Sequence, residues 1–314
     1  MTSTRELEQH LQTVAGAVVF GATDVIRAIT VALVMRGHIL LEGVPGIGKT
    51  RLSKRVAAAL GGTFQRIQGT ADLMPSDITG VHVFERDSSR FAFRPGPLFA
   101  DIVLVDEINR AGPKTQSALL EAMQERQVTI DRDTMPLPAD FLVIATQNPA
   151  EYHGTFPLPE SQLDRFLMRL RIGYPSPEEE KKVLDRPPSL HPAEELQPLL
   201  TTHDVLLLQE QVDHVLMEDS ITDYLLAIVQ RTRQSDLLSL GVSTRGALAL
   251  SRAAKALSLV RGRTYCLPDD IKELAPIVLS HRIMVARTQG LRQRSFEQAE
   301  RIIQDLVDTI PVPV

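Results

Sequence analysis

Two short segments carry residues that could bind and hydrolyse a nucleotide. The first, GVPGIGKT at residues 43–50, fits the pattern GxxxxGK[ST] between an apolar run and a helical pattern, which is the context that a phosphate-binding loop requires. Its glycines let backbone N–H groups face the phosphates, and the helix N-terminus adds partial positive charge. Lys49 is expected to neutralise the β- and γ-phosphates of ATP, and the Thr50 hydroxyl to ligate Mg²⁺. The predicted cofactor-binding residues here are Gly43, Val44, Pro45, Gly46, Ile47, Gly48, Lys49, Thr50 and Arg51.

The second segment, DIVLVDE at residues 101–107, places two carboxylates at the end of a buried apolar run. Ligands bind at this end of the strands in a parallel sheet. Asp106 is expected to hold the Mg²⁺ shell, and Glu107 to polarise the attacking water. Acids at strand ends also cap helices, so the pair indicates hydrolysis only because a phosphate-binding loop precedes it.

Three further polar residues are candidates with an ordinary structural alternative. Asn148 ends the apolar run FLVIATQ and could orient the lytic water, but asparagine before proline is also common in turns. Arg165 in LDRF and Arg245 in STRGALAL could each belong to a catalytic site or to a structural salt bridge.

The elements that must position these residues follow two patterns. Between about residues 38 and 173, apolar runs alternate with amphipathic stretches, which predicts a parallel sheet with helices on both faces. After YPSPEEE (174–180) the apolar residues recur at helical spacing, at 205–216, 221–229 and 247–260, with no convincing strand. We therefore predict an α/β domain over 1–174 and a small all-α domain over 175–314, with an irregular connection at 185–198.

Two hairpin-like insertions, near 81–97 and 126–141, interrupt the α/β pattern. Neither is needed to complete a sheet, so each is either a working part or a decoration that packs locally. The aromatic residues of the first insertion, Phe84, Phe91 and Phe93, favour packing within the hairpin over contact with a substrate.

Composition narrows the function classes. The 314 residues carry a net charge of −5, which does not indicate a nucleic-acid binder. A single cysteine, Cys266, and eight histidines without HExxH spacing indicate neither a disulfide nor a zinc site. The N-terminus lacks the pattern of a signal peptide, and no apolar stretch reaches the ~20 residues of a membrane span. We expect a cytoplasmic protein without membrane insertion.

The chain resembles the MoxR family of AAA+ ATPases over nearly its whole length. The resemblance rests on GVPGIGKT, RIQGTADLMPSDITG, DEINRAGPKTQSALLEAMQERQV, ATQNPAEYHGTFPLPESQLDRFLMR and STRGALAL. It implies a P-loop AAA+ core followed by a helical lid, with Asn148 as the sensor 1 residue, Arg245 as the sensor 2 residue on the lid, and Arg165 as an arginine finger for the neighbouring subunit. It also implies adenine contacts from Val19 and Phe20. The segment 81–97 corresponds to the helix-2 insert and 126–141 to the pre-sensor hairpin.

The same resemblance implies partners that the chain does not encode. These are further copies of itself in a ring, expected to be a hexamer, a von Willebrand factor A domain protein, and a protein client that needs metal-cofactor insertion or complex assembly. Two alternatives stay open: a chelatase motor subunit, and a nucleic-acid motor using Arg86, Arg90 and Arg94. Gly69 departs from the family, where many members carry a larger residue. Asn109 and Arg110 belong to the family string without an evident role.

Overall fold

The structure, a computed structural model, describes residues 23–43, 49–59, 62–87, 89–131, 133–148, 154–173, 177–178, 181, 202–286 and 296–313. Seven predicted site residues lie outside this part of the chain: Val19, Phe20, Val44, Pro45, Gly46, Ile47 and Gly48. The predicted domain boundary at 174/175 and the connection at 185–198 also fall in a stretch of which little is described.

A parallel five-stranded sheet forms the centre of the first half of the chain, in the order β2-β5-β8-β1-β9. Its strands are β1 (Ile39–Gly43), β2 (Phe64–Gln68), β5 (Ile102–Asp106), β8 (Leu142–Gln147) and β9 (Met168–Ile172). Helices α1 (Thr23–Val34), α2 (Lys49–Ala59), α3 (Pro75–Thr79), α4 (Pro113–Glu125) and α5 (Glu160–Leu163) accompany it. The predicted α/β fold is confirmed.

The two faces of this sheet belong to separate hydrophobic clusters. Ile39 and Leu41 of β1 pack in the cluster that contains α1 and α2, whereas Leu40 between them packs in the cluster that contains α4. Successive side chains of a strand point to opposite faces, so an uninterrupted apolar run is the pattern of a strand covered on both sides. This explains why the runs in β1, β5 and β8 predicted the sheet correctly.

Two antiparallel hairpins stand apart from the central sheet. Strands β3 (Gly80–Glu85) and β4 (Arg90–Pro95) form the first, and β6 (Gln127–Ile130) and β7 (Asp133–Pro136) the second. In the first hairpin Phe93 packs on His82 of the facing strand, with ring centroids 5.6 Å apart, as expected. Phe84 and Phe91 contact each other yet stay 51% and 69% exposed, so the expected packing holds for them only in part.

The second half of the chain is mainly helical. Its helices are α6 (Thr202–Asp213), α7 (Asp219–Gln234), α8 (Thr244–Val260), α9 (Pro268–Leu279) and α10 (Phe296–Asp308). The expectation of no strand in this region was wrong, since β10 (Leu238–Leu240) pairs antiparallel with β11 (Met284–Val285). Strands of three and two residues are too short for an alternating pattern, and their partners are far apart in sequence.

Candidate nucleotide site

Three predicted site residues lie side by side at the carboxyl edge of the sheet, the side on which its parallel strands end. Gly43 ends β1, Asp106 ends β5, and Asn148 directly follows β8, the strand between them. The register pairs Glu42 with Gln147, so Gly43 and Asn148 come at the same level. Neighbouring strands are about 4.8 Å apart, and the fold therefore brings the ends of these strands to one place.

The carboxylate of Asp106 is fixed at both of its oxygens. Its Oδ2 lies 2.7 Å from Nε of Arg66, and its Oδ1 accepts a hydrogen bond from the Thr146 hydroxyl at 3.1 Å. The same Thr146 oxygen accepts the backbone N–H of Glu107 at 2.9 Å. The buried Thr146 hydroxyl therefore bridges Asp106 and Glu107. Sequence reasoning missed Arg66 and Thr146, whose only signal was a polar type inside a strand.

Glu107 sits in a left-handed backbone conformation, with φ 55° and ψ 52°, which is uncommon for a residue other than glycine. Its Oε2 accepts hydrogen bonds from Arg110 Nη1 at 2.9 Å and from Gln68 Nε2 at 3.2 Å. Because both donors meet one oxygen, they fix the direction of the side chain. Arg110, which had no evident role in the sequence, is thus a direct partner of Glu107.

Asn109 ties the acid-bearing turn to a neighbouring loop. It is 3% exposed, and its backbone carbonyl accepts the N–H of Phe156 at 2.6 Å. The Gln116 amide donates to the carbonyl oxygens of both Ile108 and Phe156. These bonds anchor the turn after β5 from the side of α4, and Asn109 takes part in them through its backbone.

Of the predicted phosphate-binding sequence, the structure describes Gly43 at the end of β1 and the first residues of helix α2. Strand β1 ends at Gly43 on the carboxyl edge, and helix α2 begins at Lys49. A helix N-terminus favours phosphate, and an adjacent carboxylate favours the Mg²⁺ that accompanies it. The side chains of Lys49, Thr50 and Arg51 lie outside the described residues. Within the described ranges, no group of three or more His, Cys, Asp or Glu could hold a metal alone.

Arg165 lies at the amino edge of the sheet, the side on which its parallel strands begin. It comes shortly before Met168, the first residue of β9, which pairs with Ile39, the first residue of β1. Strands β1 and β9 have five residues each, which span about 15 Å at about 3.3 Å a residue. The structure therefore does not bring Arg165 to the acids of its own chain.

Arg245 lies near Arg165 and away from Asp106 and Glu107. Its Nη1 lies 3.6 Å from Oδ2 of Asp164, the residue that precedes Arg165. The Arg245 side chain is 69% exposed, so the contact leaves most of it open to solvent. Of the four residues predicted to be catalytic, Glu107 and Asn148 share the carboxyl edge, and the two arginines share the amino edge.

Two family models match this chain. Residues 38–168 match the model of the "ATPase family associated with various cellular activities (AAA)", and residues 230–306 match an AAA lid domain. The chain is 49% identical to the Bacillus subtilis protein YeaC over 95% of this chain and 92% of that one. It is 41% identical to the chaperone MoxR1 of Mycobacterium tuberculosis, over 94% of this chain and 80% of that one.

A protein of known crystal structure from Cytophaga hutchinsonii superposes with a TM-score of 0.89 at 37% identity. The match covers 99% of this chain and 96% of that one. In the part of the chain that the structure describes, no helix has the length and apolar character to cross a bilayer.

Proposed function

Because the chain belongs to the MoxR family of AAA+ ATPases, we propose that it hydrolyses ATP as a ring in which each site is completed by the neighbouring copy. We further propose that it uses the hydrolysis to remodel a protein client. The observation that carries the proposal is the separation of Glu107 from Arg165 and Arg245, which lie at opposite edges of one sheet.

Within one chain, the carboxyl edge supplies binding and proton transfer. Lys49 and the N-terminus of α2 hold the phosphates, while Thr50 and Asp106 hold Mg²⁺, which when bound neutralises phosphate charge. Glu107 accepts a proton from the attacking water, and Asn148 orients that water. Gln68 and Arg110 keep the Glu107 carboxylate directed, since both donate to its Oε2.

The amino edge supplies the charge that such a site lacks. An arginine side chain is much shorter than the strands that separate Arg165 from Glu107, so Arg165 cannot serve its own chain in this arrangement. A neighbouring copy that presents its carboxyl edge to Arg165 and Arg245 would receive two guanidinium groups at the transferred phosphate. Such arginine fingers contribute about 10³- to 10⁵-fold to the rate in related phosphoryl-transfer systems.

The exposed tip of the first hairpin supports contact with a client. Phe84 and Phe91 form a paired aromatic surface that is mostly open to solvent, and exposed apolar patches of this kind mark interaction sites. The clients we propose are proteins that require metal-cofactor insertion or complex assembly. We propose a hexameric ring in the cytoplasm, working with a von Willebrand factor A domain protein, and with Val19 and Phe20 against the adenine.

Mixing two inactive variants tests the shared site. Glu107→Gln should bind ATP and lose at least about 100-fold in turnover, and Arg165→Ala should also bind ATP and be inactive. Combined and reassembled, they should recover ATPase activity that peaks near equal proportions, because some interfaces then pair an intact Glu107 with an intact Arg165. Lys49→Ala, which should lose ATP binding, is the control that must not rescue Glu107→Gln, because both changes damage the half of the site that lies at the carboxyl edge. Co-assembly without any recovery would contradict the shared site.

The client can be sought with the same variant. Glu107→Gln in saturating ATP should retain a client, and Phe84→Ser together with Phe91→Ser should release it while leaving the basal ATPase unchanged. Hydrolysis that is stimulated by DNA and suppressed by salt would instead indicate a nucleic-acid motor.

A further inference from the structure

Asp164 connects two arginines that come from separate lid elements. Its Oδ1 accepts a hydrogen bond from Nε of Arg282 at 2.8 Å, and its Oδ2 lies 3.6 Å from Nη1 of Arg245. Arg282 closes the 3₁₀ turn Ser280–Arg282 after α9, and Arg245 stands in the first turn of α8. One carboxylate beside Arg165 therefore receives charge from two parts of the lid.

Arg282 also binds the backbone on both sides of Arg165. Its Nη2 donates to the carbonyl oxygens of Phe166 at 2.7 Å and of Asp164 at 3.3 Å, and its Nη1 donates to that of Leu167 at 3.1 Å. The Arg282 side chain is only 4% exposed. Burial lowers its pKa from the ordinary value, while Asp164 acts in the opposite direction. A buried guanidinium with this many acceptors holds the Asp164–Leu167 turn in one geometry.

The contact of Asp164 with Arg245 is of another kind. At 3.6 Å and with the arginine 69% exposed, it is a solvent-screened pair of the kind that contributes little to stability. The contact can therefore orient the Arg245 side chain and still release it to a phosphate, because a phosphate accepts stronger, bidentate hydrogen bonds from arginine. The two contacts divide the work: Arg282 fixes the turn, and Asp164 keeps Arg245 beside Arg165.

We propose that Asp164 and Arg282 are positioning residues that present Arg165 and Arg245 as one pair of cations to the nucleotide of the neighbouring copy. The inference rests on the proposed shared site and adds that a lid movement is passed to Arg165 through Arg282. Neither residue touches the nucleotide. Their removal should lower kcat for ATP hydrolysis and leave ATP binding by the same chain intact.

Asp164→Asn is the test variant, because the amide keeps an acceptor for Arg282 and removes the charge. We expect kcat to fall about tenfold, with unchanged binding of a fluorescent ATP analogue. Mixing with Glu107→Gln should restore activity, since the Glu107→Gln copies supply an intact Asp164 and Arg165 to neighbours with an intact Glu107. Asp213→Asn is the matched control: Asp213 pairs with Arg252 of the same helix α8 at 3.9 Å, and its change should leave kcat unaltered.

The outcomes separate this inference from the shared site itself. If the Arg165→Ala mixture with Glu107→Gln recovers activity and the Asp164→Asn mixture does not, the positioning role is wrong and the shared site stands. If neither recovers, both are wrong. Arg282→Lys provides a second variant, because lysine keeps the charge but lacks the planar fork. It should show the same loss of kcat and the same rescue in the mixture with Glu107→Gln, and retention of full kcat would overturn the role of Arg282.

Discussion

A Cβ atom placed on Gly69 would lie 2.2 Å from the carbonyl oxygen of Glu107. The N–H of Gly69 donates to the Asp106 carbonyl oxygen at 2.7 Å, so the end of β2 is closely packed against the turn that carries both acids. This turn holds Glu107 in its left-handed conformation. A larger residue at position 69, as many family members are expected to carry, does not fit this turn.

We predict that Gly69→Ala displaces Glu107. The obstructing atoms belong to backbone, so relief requires the turn to move, with a stability cost of about 1–3 kcal/mol. Steady-state kcat should fall at least about tenfold while ATP binding persists. Gly112→Ala is the control, because its Cβ would meet nothing closer than the Ala71 carbonyl oxygen at 3.7 Å. Normal turnover by Gly69→Ala would show that this turn geometry is not needed for hydrolysis.

Arg110→Met should lower kcat about tenfold at constant KM. The reason is that Arg110 Nη1 and Gln68 Nε2 both donate to Glu107 Oε2, so the loss of one donor frees the carboxylate to turn away from the water. Gln68→Met should act in the same direction, and the double variant should lose less than the sum of both effects because the donors share one oxygen. A rise in KM at constant kcat would indicate that Arg110 contacts nucleotide instead.

Asp270→Asn should destabilise the lid by about 3–5 kcal/mol. Asp270 is fully buried and accepts hydrogen bonds from Arg261, Arg263 and the hydroxyl of Ser258. Burial by itself would raise the pKa of Asp270, but the bond from Arg263 and its other partners lower it below the ordinary value. The neutral amide removes the counter-charge that Arg261 and Arg263 share, and Arg261 keeps only its pair with Glu273. Urea unfolding should show the loss, and Asp269→Asn, an exposed neighbour, should unfold like the parent protein.

The stability of the fold should decrease as the pH falls below about 6.5. His38 is buried, and Nδ1 accepts the Val143 N–H at 3.0 Å, so the proton lies on Nε2, 3.0 Å from the Met123 carbonyl oxygen. Burial, followed by the charge of Arg126, lowers the pKa of His38 from 6.5 to about 3. The unfolded chain therefore binds a proton below about 6.5 that the folded chain binds only near 3.

For His38 alone, each pH unit in this window should cost about 1.4 kcal/mol of unfolding free energy. Burial also lowers the pKa of His281 well below its ordinary value, which adds loss in the same direction. Denaturant titrations between pH 7.5 and 5 measure how steeply the unfolding free energy changes with pH. His38→Asn should reduce this slope by about 1.4 kcal/mol per pH unit, although the substitution lowers stability overall. An unaltered slope in His38→Asn would contradict the assignment.

The parts of this molecule that could be predicted from sequence depend on local pattern. The apolar runs of β1, β5 and β8 required burial on both faces, and Asp106 with Glu107 followed from the end of such a run. The contacts of Gly69, Arg66 and Thr146 could not be predicted, because each depends on which strands become neighbours and on their register. Arg282 carried no signal either, since its acceptors in Asp164, Phe166 and Leu167 lie over a hundred residues away in sequence.

The opposite placement of Glu107 and Arg165 on the sheet has a consequence for dilution and for mixed populations. Under the proposed sharing, turnover per chain should rise with protein concentration, because an isolated copy holds only half of the hydrolytic machinery. A copy that lacks both Glu107 and Arg165 would silence its own site and also the site it serves. Activity should then fall faster than the fraction of such copies rises, so a minority of defective chains would dominate the behaviour of the whole population.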